Sequence, residues 1–473
     1  MRGKFFSEKS FFTLQLLVDY GIIAVALLAS YILVSGYEGL ALFSYREILL
    51  TATIFYGIVF TIYKPYNCGK KKYSETMLST LVALAVLHMA VIITGYFFKE
   101  SKIPNGIFLC SFFMSAIVFA LIKRLVFSLY SRIHTKERAV IIGSDQTKER
   151  IAAKLIQHMD HLHETRYILD SQLLNFEEIR GYIDGCDIVY LSHDLDEEIK
   201  TQVMYYCYEK HKAVYLSPSV SWILQSSGRF TTLDDMPVFV QDNHVAVEEL
   251  FLKRCMDIFL AFLGLVLTSP LLVLGYMGVK IQDGGPAFYS QERLTKDNRS
   301  FKLIKFRSMV MDAENGTGPV LAANRDQRIT PFGRVLRKTR IDELPQLFNV
   351  IRGDMSIVGP RPERPELALG YIAEFPQYRY RTKFKAGMTG LAQVWGKYNT
   401  SFKDKLLLDL YYINNFSFVN DIKILFFTIK IVFKLFASDG VGQVQTLEEV
   451  ALERNCRVIR RHDGIIEMKS LES

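Results

Sequence analysis

The sequence contains no CxxC pair and no other cysteine spacing that is typical of metal ligands. Its six cysteines are scattered along 473 residues, at Cys68, Cys110, Cys186, Cys207, Cys255 and Cys456. Zinc ligands recur at short, regular spacings, and disulfide frameworks belong mainly to small secreted chains. The cysteine pattern therefore argues against both kinds of site and favours a reducing compartment.

No small-residue cleavage pattern follows the first apolar run, so a secretory signal peptide is a poor interpretation of that run. Four apolar runs occupy the first quarter of the chain, at about 12–34, 48–63, 78–98 and 106–122. Most of them approach the ~20 residues that cross a hydrocarbon core. Lysines and arginines concentrate before the first run, between the second and third, and after the fourth. Residues 1–130 are therefore predicted to form a four-helix transmembrane bundle with both ends in the cytoplasm.

Ionisable residues are scarce inside these runs, which disfavours a transporter because transport pathways need polar groups within the membrane. Asp19 and His88 are the main exceptions, and packing is the better interpretation of both. The chain has 57 Lys+Arg against 49 Asp+Glu, a formal charge of +8 that fits an anionic partner. Because the basic residues accompany membrane elements rather than an aromatic stacking platform, we predict no nucleic-acid partner.

Residues 137–218 alternate strand-like and helix-like segments, which is typical of a small parallel α/β unit. "RAVIIGSD" predicts a buried strand and a turn, "TKERIAAKLIQHM" a helix, and "CDIVYLS" and "KAVYLSPS" two further strands. The first turn lacks the second and third glycines of a dinucleotide-binding loop. We therefore predict a small Rossmann-like cytoplasmic domain that scaffolds or regulates rather than binds nucleotide. Residues 219–250 are predicted to form a linker.

Residues 251–282 contain a fifth apolar stretch, which Ser269 and Pro270 interrupt. Proline removes a backbone donor and clashes with the preceding turn. The part before the interruption would extend only ~16 Å as a helix, about half of a hydrocarbon core. Two interpretations remain: a kinked fifth span, or a re-entrant helix–break–helix that keeps the following residues in the cytoplasm. The re-entrant form is favoured, and Ser269 or neighbouring protein would then satisfy the freed backbone groups.

Asp342 and Glu343, the acidic pair, lie inside the basic segment "RKTRIDELPQLFNVIRGDMSIVGPRPERPE". Pro345 disfavours helical geometry at the preceding residue and suits the first turn of a helix, so "PQLFNVIR" is predicted as a short helix that ends at Gly353. The pair would then lie at a helix start, where free amide groups attract phosphate. One carboxylate can attack phosphorus and another can bind Mg²⁺. Helix capping with surface ion pairs is the competing interpretation.

Five motifs occur in order along the chain: "KRCMD", Ser269-Pro270, "QERLTKDNRSFKLIKFRSM", "DELPQLFNVIRGDMSIVGPRP" and "GMTGLAQVWGK". Together they resemble the bacterial sugar transferase family, the monotopic polyprenyl-phosphate hexose-1-phosphate transferases, over about residues 251–436. The preceding spans and α/β unit resemble the large form of that family, typified by undecaprenyl-phosphate glucose or galactose phosphotransferases. The resemblance implies a monotopic α/β catalytic domain at 283–450, on the cytoplasmic face of the bacterial inner membrane, in a homodimer. Residues 451–473 are predicted to be a C-terminal tail.

The resemblance also implies a reaction. Asp342 would attack the β-phosphate of a UDP-sugar, expel UMP and pass the sugar-phosphate to undecaprenyl phosphate. This would be the first membrane step of capsule, exopolysaccharide or O-antigen synthesis, with glucose or galactose as the favoured sugar. Glu343 would bind Mg²⁺. The resemblance implies phosphate binding by four further residues, Arg337, Arg361, Lys305 and Arg307. It also implies that Ser269 and Pro270 form the break of the re-entrant helix.

Two positions depart from the family pattern and leave donor recognition open: Ala386, where the family often has proline, and Lys397, where it often has arginine. A non-catalytic membrane scaffold or regulator is the alternative function. The helix "DIKILFFTIKIVFKLF" either lies in the headgroup plane or closes the core. Other basic residues are predicted to face lipid headgroups, namely Lys253, Lys302, Arg379, Arg381, Lys383 and Lys385.

Overall fold

The computed structural model divides the chain into two compact units. It describes residues 8–35, 42–65, 72–97, 104–133, 135–160, 162–241, 244–311, 326–396, 400–437, 446–461 and 463–470. The first unit comprises Met1–Ser217 together with Gln445–Ser473, and the second comprises Pro218–Val444. The chain therefore leaves the first unit once and returns to it near its end.

Four long apolar helices open the first unit: α1 (Glu8–Ser35), α2 (Leu42–Tyr63), α3 (Tyr73–Phe97) and α4 (Asn105–Ile133). By length and composition, each contains a stretch that is apolar enough to cross a membrane, in agreement with the four predicted runs. Buried aliphatic and aromatic side chains pack the helices against one another, while many large apolar side chains on them remain exposed. Apolar exposure on this scale fits a membrane protein.

The two ionisable residues noted within these helices are buried and have partners. Asp19 Oδ2 lies 2.7 Å from Lys123 Nζ, and both side chains are 2% exposed, so this ion pair joins α1 to α4. His88 Nδ1 lies 2.8 Å from Leu84 O, and its Nε2 lies 3.2 Å from Ser111 Oγ on α4. Both residues take part in packing between helices, which agrees with the interpretation from the sequence.

A parallel sheet follows, and its strands alternate with helices. The elements are β1 (Glu137–Gly143), α5 (Asp145–Met159), β2 (His163–Asp170), α6 (Phe176–Asp184), β3 (Ile188–Leu191), α7 (Glu197–Glu209) and β4 (Ala213–Leu216). On the central strand β1, Val140 and Ile142 pack into one helix layer and Ile141 into the other. The α/β unit that the alternating pattern predicts is therefore present.

The end of the chain differs from the predicted tail at 451–473, because it completes this sheet. It forms α16 (Leu447–Glu453), β11 (Cys456–Arg460) and β12 (Ile465–Ser470). β12 pairs antiparallel with β2, and the strand order is β11–β12–β2–β1–β3–β4. Ile466 and Met468 pack with Ile141 in the core. The hairpin turn contains Gly464 at a φ of +78°, a conformation that favours glycine.

The predicted linker is partly folded into the second unit. It forms α8 (Val220–Gln225) and an antiparallel hairpin of β5 (Arg229–Leu233) and β6 (Met236–Val240). Ile223 joins the core of the second unit, and Asn414 Nδ2 donates to its carbonyl at 3.2 Å. Helix α8 is therefore anchored to that core.

One helix, α9 (Val247–Asp283), covers the fifth apolar stretch without interruption, and this stretch is also apolar enough to cross a membrane. Pro270 lies inside the helix, so the structure differs from the predicted break in helical geometry. The carbonyl of Val266 lacks its usual amide partner, because that partner would be Pro270. Ser269 Oγ donates to this carbonyl at 2.8 Å, as expected for Ser269, so the helix continues past the proline. The re-entrant topology stays a prediction.

The remainder of the second unit consists of helices and two small sheets, whose buried residues form a large core and a smaller cluster around Phe306. The strands are β7 (Phe288–Leu294) and β8 (Ser300–Phe306), an antiparallel pair, and β9 (Ser356–Val358) and β10 (Gly387–Thr389), a parallel pair. The helices are α10 (Pro331–Thr339), α11 (Gln346–Arg352), α12 (Pro365–Glu374), α13 (Leu391–Trp395), α14 (Phe402–Asn414) and α15 (Phe418–Ala437). Ile424 of α15 is buried in this core, so α15 closes the core at that point.

Glycines let the backbone of Gly359, just before the Pro-Arg-Pro motif, lie against the "GMTG" segment, which contains β10. A Cβ at Gly387 would lie 2.1 Å from Gly359 N, and a Cβ at Gly390 would lie 2.1 Å from Gly359 O. Backbone atoms cannot yield to a side chain at such distances, so only glycine fits at these positions. The two motifs, far apart in sequence, are therefore neighbours in the fold.

Candidate active site

The acidic pair lies on a short turn between two helices. α10 ends at Thr339, Arg340 adopts a left-handed φ of +59°, and Ile341–Glu343 forms a single 3-10 turn. Pro345 caps α11, which ends before Gly353 at a φ of +90°. The pair thus stands directly before a helix start, and the predicted bounds of that helix at Pro345 and Gly353 are confirmed. The predicted loss of helical geometry at Leu344 is wrong, because Leu344 has a φ of −55° and a ψ of −37° and the 3-10 turn leads through it into α11.

Three cationic side chains surround Glu343. Its Oε1 lies 3.7 Å from Lys305 Nζ, 3.3 Å from Arg340 Nη1 and 3.5 Å from Arg361 Nη2. Burial alone would raise the pKa of Glu343, but these three charges outweigh burial and lower the pKa to about 2. Glu343 is therefore an anion at neutral pH, and it holds the three cations together.

Asp342 is more deeply buried and less well compensated than Glu343. The residue is 8% exposed, and within the described part of the chain its Oδ1 has no hydrogen-bond partner. Burial, and then the charge of Glu343, raise the pKa of Asp342 to about 6 against the opposing effect of nearby cations. Two adjacent carboxylates with widely separated pKa values are typical of functional sites. Above pH 6 Asp342 is a buried anion with a free oxygen, as a nucleophile requires.

The structure places Lys305 and Arg361 at the acidic pair, while the other two predicted phosphate-binding residues have partners of their own. Arg337 Nε donates to Ser308 Oγ at 2.8 Å, although its charge still acts on Asp342. The Arg307 guanidinium forms an ion pair with Asp283 at the end of α9. Arg307 therefore holds the end of α9 and makes no contact with either carboxylate.

Two cations at the site are missing from the predicted set. Arg340 contacts Glu343 directly. Arg293, on β7, lines a small cavity together with Lys305 and Arg361. The other lining residues come from β8, from the segment of the acidic pair and the Pro-Arg-Pro motif, and from "GMTG": Leu303, Gln346, Pro362, Gly387 and Met388. Several arginine and lysine side chains at one small cavity suit a diphosphate, because guanidinium groups bind phosphate oxygens in pairs. In the sequence these residues are marked only by their charge.

Arg381 lies beneath the Pro-Arg-Pro motif and is 6% exposed, which corrects its predicted position at lipid headgroups. Its Nη2 donates to Arg361 O at 2.9 Å and lies 2.8 Å from Asp409 Oδ2. Its Nη1 lies 3.5 Å from Glu363 Oε1. Arg381 therefore supports the backbone of a cation that contacts Glu343.

Lys253 is likewise buried rather than placed at lipid headgroups. Its Nζ lies 2.5 Å from Asp421 Oδ2 and donates to Val358 O at 2.8 Å. Four residues later, Asp257 Oδ1 accepts hydrogen bonds from the Ser356 hydroxyl and from the next backbone amide, both at 2.9 Å. The "KRCMD" motif thus joins α9 to β9 and α15 through buried polar contacts.

One of the two departures from the family pattern has a structural role. The buried N–H of Ala386 donates to Thr295 Oγ1 at 3.2 Å, a hydrogen bond that a proline at this position could not form. Lys397 lies outside the described residues.

Comparison with known proteins identifies a matching family and several relatives. The family model described as "Bacterial sugar transferase" matches residues 248–435. A UDP-N-acetylgalactosamine-undecaprenyl-phosphate N-acetylgalactosaminephosphotransferase from Aeromonas hydrophila is 43% identical over 185 residues, which are 38% of this chain and 44% of that protein. An undecaprenyl-phosphate galactose phosphotransferase from Salmonella typhimurium is 39% identical over 210 residues, 41% of this chain and 43% of that protein. The exopolysaccharide production protein PSS from Rhizobium leguminosarum bv. phaseoli is 38% identical over 189 residues, 38% of this chain and 94% of that protein.

The matched region contains all but the first residue of α9 and every residue of the site described above. The match spans less than half the length of the first two relatives, at 44% and 43%, but nearly all of the third, at 94%. The acidic pair, its cations and the two glycine-dependent motifs all lie inside residues 248–435. The chain belongs to the bacterial sugar transferase family.

Proposed function

We propose that this protein transfers a hexose-1-phosphate from a UDP-sugar to undecaprenyl phosphate and releases UMP. The proposal depends above all on the environment of Asp342: a buried carboxylate, with one oxygen free of partners within the described residues, beside an ionised Glu343 that three cations surround. Family membership supports the class of reaction, since two of the relatives are named as undecaprenyl-phosphate phosphotransferases.

In the first step a carboxylate oxygen of Asp342 attacks the β-phosphorus of the UDP-sugar. A bond forms between that oxygen and phosphorus, and the bond from phosphorus to the bridging oxygen breaks, so that UMP leaves with the bridging oxygen. The product is an acyl phosphate that links Asp342 to the sugar-1-phosphate. Lys305 and Arg361 neutralise phosphate charge that would otherwise repel the carboxylate.

In the second step an oxygen of undecaprenyl phosphate attacks the same phosphorus. The new bond forms a diphosphate between lipid and sugar, and the bond to Asp342 breaks and restores the carboxylate. Because the same group is nucleophile and then leaving group, its pKa of about 6 suits both steps: it is ionised at neutral pH and leaves readily. UMP leaves before the acceptor reacts, so ping-pong kinetics are expected.

The acidic pair also fits a Mg²⁺ ion that is shared with substrate phosphates. Within the described residues no group of three or more His, Cys, Asp or Glu side chains is arranged to hold a metal by itself. Mg²⁺ commonly binds one or two carboxylates and takes its other ligands from phosphates and water. Glu343 provides such a carboxylate directly beside Asp342. When bound, the ion would neutralise phosphate charge.

The proposal extends to location and to the polysaccharide pathway. The protein is placed in the bacterial inner membrane, with α1–α4 spanning it, α9 re-entering it and the catalytic domain on the cytoplasmic face. The product would begin a capsule, exopolysaccharide or O-antigen unit. The positive-inside distribution of Lys and Arg supports the orientation. The homodimer and the scaffolding role of the α/β unit remain expectations drawn from the sequence.

The proposal is tested with the purified full-length protein, Mg²⁺ and radiolabelled UDP-glucose, UDP-galactose and UDP-N-acetylgalactosamine. One donor should release UMP and leave label on the protein, and added undecaprenyl phosphate should chase that label into lipid. Asp342→Asn should lose the label and UMP release, because an amide is a poor nucleophile for phosphorus. Glu366→Gln, an exposed acid on α12, is the matched control and should label normally.

Two outcomes would count against the proposal. Near-normal UMP release by Asp342→Asn would exclude Asp342 as the nucleophile. A folded wild-type protein that neither releases UMP nor takes up label from any donor would favour the non-catalytic scaffold.

A further inference from the structure

Four cationic side chains outside the active site converge near the start of α9: Arg254, Lys296, Arg299 and Lys385, here called the basic cluster. Two of them meet over Gly353. A Cβ at that glycine would lie 3.4 Å from Arg254 Nη2 and 3.8 Å from Lys385 Nζ. The two cations are therefore neighbours, and both are partly exposed.

Thr295 brings the remaining parts of the basic cluster together. Its Oγ1 donates to Asp354 O at 2.8 Å and accepts from the Ala386 N–H at 3.2 Å. These bonds join the β7–β8 turn, which carries Lys296 and Arg299, to the segments that carry Gly353 and Lys385. A backbone bond from Arg299 N to Lys296 O closes the turn at 3.2 Å. The cluster is thus fixed by the fold and partly by the Ala386 N–H, which a proline would lack.

The basic cluster has no carboxylate partner in the described part of the chain: none of its four residues forms an ion pair there. Arg254 uses its guanidinium to cap the end of α11, donating to Val350 O at 2.7 Å. The nearby Asp257 already accepts two hydrogen bonds from β9. Burial and the charges of the other three cations lower the pKa of Lys385, and the opposing charge of Asp257 does not outweigh them.

Exposed apolar side chains border the basic cluster. On α9, Leu250 and Ile258 lie one turn before and one turn after Arg254, and both are exposed. On α11, Phe348 and Ile351 are 44% and 36% exposed, and Arg254 Nη2 donates to the Ile351 carbonyl at 2.8 Å. Positive charge beside exposed apolar side chains is the pattern of a surface that lies at the boundary between headgroups and acyl chains.

We propose that the basic cluster binds the headgroups of anionic phospholipids and so seats the catalytic domain on the bilayer where α9 enters it. A free phosphate would use the cations alone, whereas a phospholipid also covers the apolar border. The cluster shares no residue with the set that contacts Glu343, so this inference does not depend on the proposed reaction.

Native mass spectrometry of the full-length protein in detergent tests the proposal, with phosphatidylglycerol or phosphatidylcholine added. Wild-type protein should bind phosphatidylglycerol more tightly. The triple variant Lys296→Gln, Arg299→Gln, Lys385→Gln should weaken that binding by on the order of a hundredfold, from roughly fivefold for each basic residue near an anionic surface. Phosphatidylcholine binding should not change.

The control removes the same charge from exposed cations elsewhere: Lys210→Gln, Arg229→Gln and Lys403→Gln. It corrects for anionic lipid that binds to other surfaces, and it should retain wild-type affinity. Two results would each overturn the proposal. One is unchanged phosphatidylglycerol affinity in the cluster variant, whether or not its KM for undecaprenyl phosphate rises. The other is displacement of phosphatidylglycerol by inorganic phosphate.

Discussion

Arg381→Met should separate the stability of the catalytic domain from the positioning of its Pro-Arg-Pro motif. The guanidinium is in ion-pair contact with Asp409 at 2.8 Å and donates to the Arg361 carbonyl at 2.9 Å. Removing one member of a buried ion pair leaves the other charge unpaired and costs about 3–5 kcal/mol. The single variant should therefore be destabilised by that amount, enough to threaten folding of a domain of ordinary stability.

The double variant Arg381→Met, Asp409→Leu should recover most of that stability, because apolar residues often replace a buried ion pair at little net cost. It should not recover activity. The Arg361 carbonyl still lacks its charged donor, a bond worth about 1.5–3 kcal/mol, so kcat/KM for the donor should fall by roughly ten- to a hundredfold.

Thermal unfolding in detergent and UMP release at saturating undecaprenyl phosphate measure the two effects. Arg379→Met, which removes an exposed arginine from the same segment, is the control and should change neither. A double variant that regains both wild-type stability and wild-type kcat/KM would show that Arg381 acts only through its ion pair, and would refute the positioning role.

Three further predictions follow from contacts and charge. Gly278→Ala should destabilise the protein, because its Cβ would lie 2.2 Å from a phenylalanine ring, whereas Gly370→Ala, with no atom within 4 Å, should stabilise α12 by about 1 kcal/mol in thermal unfolding. Because burial and the adjacent glutamate raise the pKa of Asp342 to about 6, the rate of covalent labelling should fall about tenfold per unit as pH drops below 6, when Asp342 becomes protonated. A flat profile from pH 4 to 7 would contradict this. Lys123→Met should lower the melting temperature more than a double change with Asp19→Leu, because the single change leaves a buried carboxylate unpaired.

Features with a local cause could be predicted from the sequence. Pro345 and Gly353 bound α11 because each restricts or permits particular backbone angles, and those angles depend on the residue itself. The strands and helices of residues 137–216 follow from alternating runs of buried residues. The acidic pair could likewise be placed before a helix start, because proline suits the beginning of a helix, although Leu344 between them is helical as well.

Features that depend on distant partners could not be predicted. β12 pairs with β2 across nearly 300 residues of sequence, and six-residue strands carry no signal of their partner. In the sequence Arg307 resembles the other basic residues beside the site, but in the structure it forms an ion pair with Asp283 at the end of α9. Arg381 and Lys253 read as surface cations because their carboxylate partners lie elsewhere in the chain.

The buried pair of Lys253 and Asp421 gives the "KRCMD" motif a more specific meaning than membrane attachment. A buried ion pair adds little net stability over well-packed apolar residues, so stability alone does not account for one at this position. The ion pair does favour one axial position of α9 against α15, because sliding α9 by a turn would leave both charges unpaired. Asp257, four residues on, contacts β9 from the same face of the helix. Because β9 leads directly into the Pro-Arg-Pro motif, these contacts fix the position of α9 along its axis relative to the acidic pair.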